Sequence, residues 1–244
     1  MPAVVLRGVS KRFYFYEHRT SSLREWFIRR VLRRPIHVGR AAFTLHDVDL
    51  TVGRGEAVAL LGHNGSGKST VLRLIAGIYQ TSSGTVRTEG RITAVIELGA
   101  GFHPELTGAE NIALYAAVLG LTRRELAEHY EEIVEFAAIP DLPDTPLKYY
   151  SSGMEARLAF SVAVCLQPDI LLLDEVLAVG DQAFRERCLQ RLRQYHALGG
   201  TLVLVSHELE QLRELCTRAV WLDQGRVLMD GPIDMVLERY REQE

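Results

Sequence analysis

The residues Gly62-His63-Asn64-Gly65-Ser66-Gly67-Lys68-Ser69 spell G-x-x-x-x-G-K-S. An apolar run, Ala57–Leu61, precedes them, and apolar-periodic residues follow from Thr70 to Ala76. That is the strand–loop–helix setting in which this motif cradles phosphate. Glycines let consecutive backbone N–H groups turn inward around phosphate oxygens. The start of the following helix, through Thr70, adds a favourable field for negative charge. Lys68 is the candidate partner of the terminal phosphates, and the Ser69 hydroxyl is a candidate Mg²⁺ ligand.

A second motif carries the complementary chemistry. Ile170-Leu171-Leu172-Leu173-Asp174-Glu175 reads as a buried strand ending in two carboxylates. Acids at the C-terminal end of a parallel strand sit where α/β sheets bind ligands. Asp174 is a candidate for holding Mg²⁺, directly or through water. Glu175 is a candidate general base on an attacking water.

The elements that position these groups follow from pattern. Strands are expected near residues 3–9, 45–52, 57–61, 85–87, 91–96, 170–173, 201–205, 219–222 and 226–229. A turn is expected at Glu89-Gly90. Thr107 with Glu110, and Thr122 with Glu125, read as capping boxes opening helices near 108–119 and 123–138. Pro140, Pro143 and Pro146 then interrupt the chain. Further helices are expected near 153–166, 182–198, 208–216 and 233–241, and Gly77 is placed to end the helix after the phosphate loop. The alternation of strands and helices predicts an α/β nucleotide-binding core with helices inserted over about 98–165.

Composition narrows the class. The 244 residues suit a single α/β domain. A formal net charge of −3 speaks against a general nucleic-acid binder. Cys165, Cys188 and Cys216 are far apart and fit no metal spacing, so they are expected to be small buried hydrophobes in a reducing setting. Charges follow Met1–Leu6 too quickly for a signal peptide. No apolar stretch approaches the ~18 residues of a spanning helix, so the chain is expected to lie against a membrane at most.

Three more segments complete a set: Tyr150-Ser151-Ser152-Gly153-Met154, Ala178-Val179-Gly180-Asp181 and Val205-Ser206-His207. In this order and spacing the chain resembles the ATP-binding cassette (ABC) ATPases over nearly its whole length. The resemblance implies a P-loop ABC ATPase core with an antiparallel β-subdomain and an inserted α-helical subdomain. It implies ATP and Mg²⁺ as ligands, with Gly62–Ser69 as Walker A and Ile170–Glu175 as Walker B. Tyr150–Met154 stands where the family has its LSGGQ signature, with Ser152 for the first glycine and Met154 for the glutamine. Ser151 and Gly153 remain to meet the γ-phosphate held by the opposite subunit of an ATP-joined homodimer. His207 falls at the switch histidine and Asp181 in the D-loop. Lys68, Glu175 and His207 are thus the implied catalytic set.

Two positions depart from the family pattern or leave a choice. No glutamine stands at the Q-loop, where Glu97 or Leu98 falls, and Glu97 would offer an oxygen toward Mg²⁺ or water. The adenine-stacking aromatic should follow Val9-Ser10-Lys11-Arg12, with Phe13 fitting best and Tyr14 or Tyr16 as alternatives.

The stretches from Glu97 to Gly108, from Tyr150 to Met154 and from Leu177 to Asp181 are similar to ATPase subunits that export O-antigen, teichoic acid and related lipid-linked glycans. The implied partner is a separate transmembrane permease, with this chain peripheral on the cytoplasmic face of the inner membrane. Some members carry a C-terminal carbohydrate-binding domain. This chain ends at Glu244 after a helix, either as the shorter type or after truncation. Residues 19–40 form a basic insertion, with Arg19, Arg24, Arg29, Arg30, Arg33, Arg34 and Arg40 beside Leu23, Trp26, Phe27, Val31 and Leu32 at helical spacing. That pairing suits an anionic membrane surface or a partner's cytoplasmic end. An importer ATPase and a soluble ABC ATPase acting on DNA or ribosomes are the alternatives. The Q-loop and signature departures weigh against the first, and the absence of a second cassette or long coiled coil against the second.

Overall fold

The computed structural model describes residues 1–15, 40–96, 99, 101–141, 143–175 and 180–243. Among them lie two sheets. A three-stranded antiparallel sheet has the order β2 (Arg40–Gly53), β1 (Pro2–Phe15), β4 (Ser83–Thr88). A six-stranded sheet has the order β5 (Ile92–Val95), β6 (Ile170–Asp174), β7 (Thr201–Val205), β3 (Ala57–Leu61), β8 (Arg218–Asp223), β9 (Arg226–Pro232). Its neighbours run parallel except β9, which returns antiparallel on β8.

The strands β3 and β7 are buried at every position. A sheet covered on both faces selects continuous apolar runs rather than alternation. Ala57, Ala59 and Leu61 point into one core and Val58 and Leu60 into another. The second core is closed by α1 (Lys68–Ile75) and by Val4, Leu6, Leu45 and Leu50 of the antiparallel sheet. The first is closed by helices α2 (Gly108–Val118), α3 (Arg123–Ala137), α4 (Ser152–Cys165), α5 (Gln182–Ala197), α6 (Leu209–Leu215) and α7 (Ile233–Arg241). The site therefore rests on a sheet held from both sides.

Local chemistry fixes the helix ends. Thr107 and Thr122 both form complete capping boxes, with Glu110 and Glu125 returning a carboxylate to the cap N–H. Each cap contributes about 1 kcal/mol. Gly77 follows α1 with φ 72° and donates its N–H to the Leu74 carbonyl, the backbone that ends a helix. The helix itself begins at Lys68, two residues before the apolar periodicity does. Asn111 is buried, yet its amide donates to the carbonyls of His103, Leu106 and Thr107 and accepts from the His103 N–H. It fixes the loop that leads into α2.

Glu89-Gly90 lies between two strands that do not pair. Strand β4 adds to β1, and β5 adds to β6 in the other sheet. Arg91 anchors this crossing. Its guanidinium meets Glu125 at 3.1 Å and the Leu166 carbonyl at 2.9 Å, tying the start of α3 and the end of α4 to β5. All three cysteines are free and buried. Burial pushes each thiol up to about 12. The basic insertion, Tyr16, Glu97 and Leu98 lie outside the described residues, as do the side chains of Tyr14 and Arg40.

Candidate functional site

Strands β6, β7 and β3 are adjacent and parallel. Their C-terminal ends deliver Asp174-Glu175, Ser206-His207 and the loop from Gly62, all to one edge of the sheet. Residues more than a hundred positions apart are thereby brought together, at the edge where α/β sheets take ligands.

Two of the three glycines of the loop, Gly62 and Gly67, have no room for a side chain. A Cβ on Gly62 would collide with the Leu222 carbonyl oxygen and lie 2.6 Å from Ser66 Oγ. One on Gly67, at φ 109°, would lie 2.6 Å from Leu45 Cδ2 and 3.0 Å from the Thr44 oxygen. At Gly65, φ 84°, a Cβ would meet nothing within 4 Å, so this glycine answers to backbone conformation alone. Helix α1 starts with no acidic residue in its first turn. Among the described residues the N–H groups of Lys68, Ser69 and Thr70 find no backbone acceptor, as the geometry of a helix start requires. The result is a cradle of free donors backed by a helix dipole.

Lys68 is only 7% exposed. Its Nζ donates to the Gly62 carbonyl at 2.5 Å and the His63 carbonyl at 3.1 Å. Burial lowers its pKa, opposed by the nearby carboxylates of Glu175 and Asp174. Asp174 is shifted the other way: burial raises its pKa, while a hydrogen bond from Ser69 lowers it. Glu175 has φ 56° and donates its N–H to the Val205 carbonyl at 2.9 Å. Its Oε1 lies 2.8 Å from Nε2 of His207. Those two side chains are both about half exposed, so they face outward over the cradle.

The donor set fits a magnesium nucleotide. Ser69 and Asp174 converge as one hydroxyl and one carboxylate, too few oxygens for a protein cage. No cluster of three or more His, Cys, Asp or Glu side chains suited to a metal occurs among the described residues. Mg²⁺ characteristically takes one or two protein oxygens and completes its shell from phosphates and water. Ser66 Oγ is buried with no hydrogen-bond partner among the described residues, a donor held inside the loop.

The other expected residues fall in two groups. Phe13 packs edge-on against Tyr79 at 5.3 Å, with Lys11 Nζ 4.9 Å from its ring centroid. Register pairs Phe13 with Ala42, two residues from the Thr44 that backs Gly67. Ser151, in contrast, caps α4 by accepting the Met154 N–H at 3.2 Å. No hydrogen bond joins Ser151, Ser152 or Gly153 to the phosphate loop among the described residues. Among the described residues a Cβ on Gly153 would meet only Ser151 Oγ, at 3.9 Å, so none of them demands glycine there. Asp181 caps α5 through the Phe184 N–H at 2.9 Å and pairs with Arg157 of α4.

The profile of a protein family, "ABC transporter", matches residues 45–178. The chain belongs to the ABC transporter family. Its fold is the ATP-binding cassette, and it is an ATP-binding, ATP-hydrolysing member. A Klebsiella pneumoniae relative, "O-antigen export system ATP-binding protein RfbB", is 43% identical over 99% of this chain and 98% of its own. "Teichoic acids export ATP-binding protein TagH" of Staphylococcus saprophyticus subsp. saprophyticus is 36% identical, covering 98% of this chain and 88% of the relative. Among solved structures, the ATP-binding cassette MJ0796, dimeric and bound to ADP and Pi, superposes with a TM-score of 0.75. It is 22% identical over 94% of this chain and 98% of that one, which speaks to the fold alone.

Two features of this cassette escaped the sequence reading. The turn between β8 and β9 reaches the phosphate loop, where Gly225 donates to the Ser66 carbonyl at 3.0 Å. The glycine-containing turn Asp223-Gln224-Gly225 is the signal in the sequence. Tyr240 of α7 lies 5.7 Å from the His63 ring and helps enclose a cavity of about 70 Å³ with Gly62, Lys68, Ser206 and His207. No local pattern announces that contact.

Proposed function

We propose that this chain is the ATP-hydrolysing subunit of an exporter that moves a lipid-linked polysaccharide across the cytoplasmic membrane. The observation that carries the chemistry is the Glu175–His207 pair, 2.8 Å apart beside the buried Lys68. The loop from Gly62 to Thr70 holds the phosphates of ATP through its backbone N–H groups, and Lys68 leaves the loop carbonyls to meet the terminal phosphates. Phe13 stacks on the base. Ser69 and Asp174 are the residues that would hold Mg²⁺, which supplies charge neutralisation on the phosphates. Glu175 accepts the proton of the attacking water, and His207 orients that water and meets the terminal phosphate. Glu97 stands as a further oxygen donor toward the metal or the water.

Two copies are proposed to close on two ATP molecules. Among the described residues the start of α4, with Ser151 and Gly153, makes no hydrogen bond to the phosphate loop of its own chain, and it suits the nucleotide held by the other copy. Among the described residues no helix is long and apolar enough to cross a membrane, so the channel is assigned to a separate permease. On this reading residues 1–244 form a single nucleotide-binding domain with its helical part near 98–165, peripheral on the cytoplasmic face. The cargo assignment rests on the likeness, over almost the whole chain, to relatives named for O-antigen and teichoic acid export. The arginine-rich residues 19–40 are proposed to meet anionic lipid or the permease. Replacing Arg29, Arg30, Arg33 and Arg34 by Ser should weaken binding to anionic vesicles or to the permease, and unchanged binding to both would exclude this role.

The catalytic reading is tested with Glu175→Gln. The amide keeps a hydrogen-bonding group beside His207 and removes the base, so ATP-dependent dimers should persist while turnover falls roughly 10²–10⁴-fold. Full turnover in that variant removes Glu175 from the role of base.

A further inference from the structure

We infer that the Gln224-Gly225 turn is a positioning element that locks the phosphate loop to the antiparallel sheet, with Gly225 its decisive residue. The inference rests on ATP as the ligand of the loop.

Three segments distant in sequence meet at this turn. The Gly225 N–H donates to the Ser66 carbonyl at 3.0 Å, inside the phosphate loop. The Gly225 carbonyl accepts from the His46 N–H at 2.8 Å, on β2. One peptide unit on each side of Gly225 thus bridges the loop and the strand. The backbone conformation is that of a tight turn, with φ 45° at Gln224 and 77° at Gly225.

The contact leaves no free space. A Cβ on Gly225 would lie 2.5 Å from the Thr44 carbonyl oxygen and 3.0 Å from Leu45 Cα. The same two residues of β2 back Gly67, and the Leu222 carbonyl just before the turn backs Gly62. Both terminal glycines of the phosphate loop are therefore walled by the elements that Gly225 holds together. Leu45 is fully buried, so β2 cannot yield without disturbing the core.

A functional consequence follows from the register. Strand β2 pairs with β1, which carries Phe13, the candidate base-stacking residue. The turn therefore sets the distance between the base side and the phosphate side of the nucleotide. Any atom added at Gly225 must push either the loop or β2. Displacements of about 1 Å at a binding site can cost on the order of 10²-fold.

The test compares Gly225→Ala with Gly199→Ala in the full-length chain. Gly199 also has a positive φ, 92°, but a Cβ there would meet nothing within 4 Å, so it controls for backbone strain alone. Gly225→Asn adds the same Cβ with less strain at positive φ, and serves if the alanine variant fails to fold. The readouts are titration with a fluorescent ATP analogue, the split between KM and kcat, and the melting temperature. The inference predicts a KM and Kd at least tenfold higher at position 225, kcat within threefold of wild type, and no change in KM for Gly199→Ala. Wild-type KM in a folded Gly225 variant overturns it, as does an equal KM rise in Gly199→Ala. A fall in melting temperature with unchanged KM overturns it too, since that is a merely structural role. A wild-type chain that does not bind the analogue would fail the ATP reading itself and the inference with it.

Discussion

Replacing Lys68 by Met separates the binding function of the loop from its stability. Without nucleotide the ammonium donates to the Gly62 and His63 carbonyls at 2.5 and 3.1 Å while almost wholly buried. Hydrogen bonds to a charged group contribute about 1.5–3 kcal/mol each. Against them stands a desolvation cost of several kcal/mol for a buried ion, the same burial that lowers the lysine pKa. The terms nearly cancel, so folding stability should change by no more than about 2 kcal/mol. For a chain of this size that is a melting shift of at most about 4–8 °C. Binding has no such compensation. Losing the lysine's charged contact with the phosphates costs about 1.5–3 kcal/mol, which raises the Kd for ATP roughly tenfold to 150-fold. Differential scanning fluorimetry and calorimetric titration with Mg-ATP on the same samples give both numbers. Wild-type affinity in a folded Lys68→Met variant, or a melting point more than ~10 °C lower, would refute the reasoning.

Other substitutions and conditions report on separate parts of the molecule. His207→Ala should lower turnover steeply while leaving the melting temperature within a few degrees, because the ring is over half exposed; unchanged turnover would remove His207 from the reaction. Arg218 holds Asp230 through two bonds of 2.6 Å and reaches Glu56 and the Thr51 carbonyl at 2.9 Å, joining β8, β9 and β2. Its pKa is raised by those carboxylates, Asp230 first. Arg218→Met should cost roughly 2–4 kcal/mol in urea unfolding, less than a fully buried pair because all three side chains keep some solvent. The three thiols should react with a thiol reagent only after unfolding. Their folded pKa of about 12 exceeds the reference of 9.0. The stability they contribute is therefore full below about pH 9 and is lost as pH rises toward 12. Stability independent of pH over that window, with the thiols still protected, would contradict this.

What the sequence revealed and what it hid follow from the range of the interactions. The phosphate loop, the acidic strand end and both capping boxes are short-range patterns, and each appears in the structure at its expected place. The opposite fates of β4 and β5 depend on partners far along the chain, so Glu89-Gly90 could be read only as a turn. The early start of α1 was obscured because Lys68 and Ser69 interrupt the apolar periodicity while already helical. Within the site, the acidic strand end and the family resemblance put forward Asp174, Glu175 and His207 as candidates, but the 2.8 Å contact between Glu175 and His207 arises from strand order. The Lys68 ammonium folded onto its own loop carbonyls, and the Gly225 N–H on the Ser66 carbonyl, both end on backbone oxygens; the sequence shows the turn at Gly225 but not the loop it meets.

The central claim, ATP hydrolysis driving export of a lipid-linked glycan, is tested most directly in the source cell. The native copy is replaced by the Glu175→Gln form under controlled expression, and lipid-linked glycans of the cytoplasmic membrane are analysed beside those of the surface. The account predicts that an unexported glycan accumulates inside while its surface form disappears. An unchanged glycan profile, with loss of ATPase activity verified in the purified variant, would contradict it.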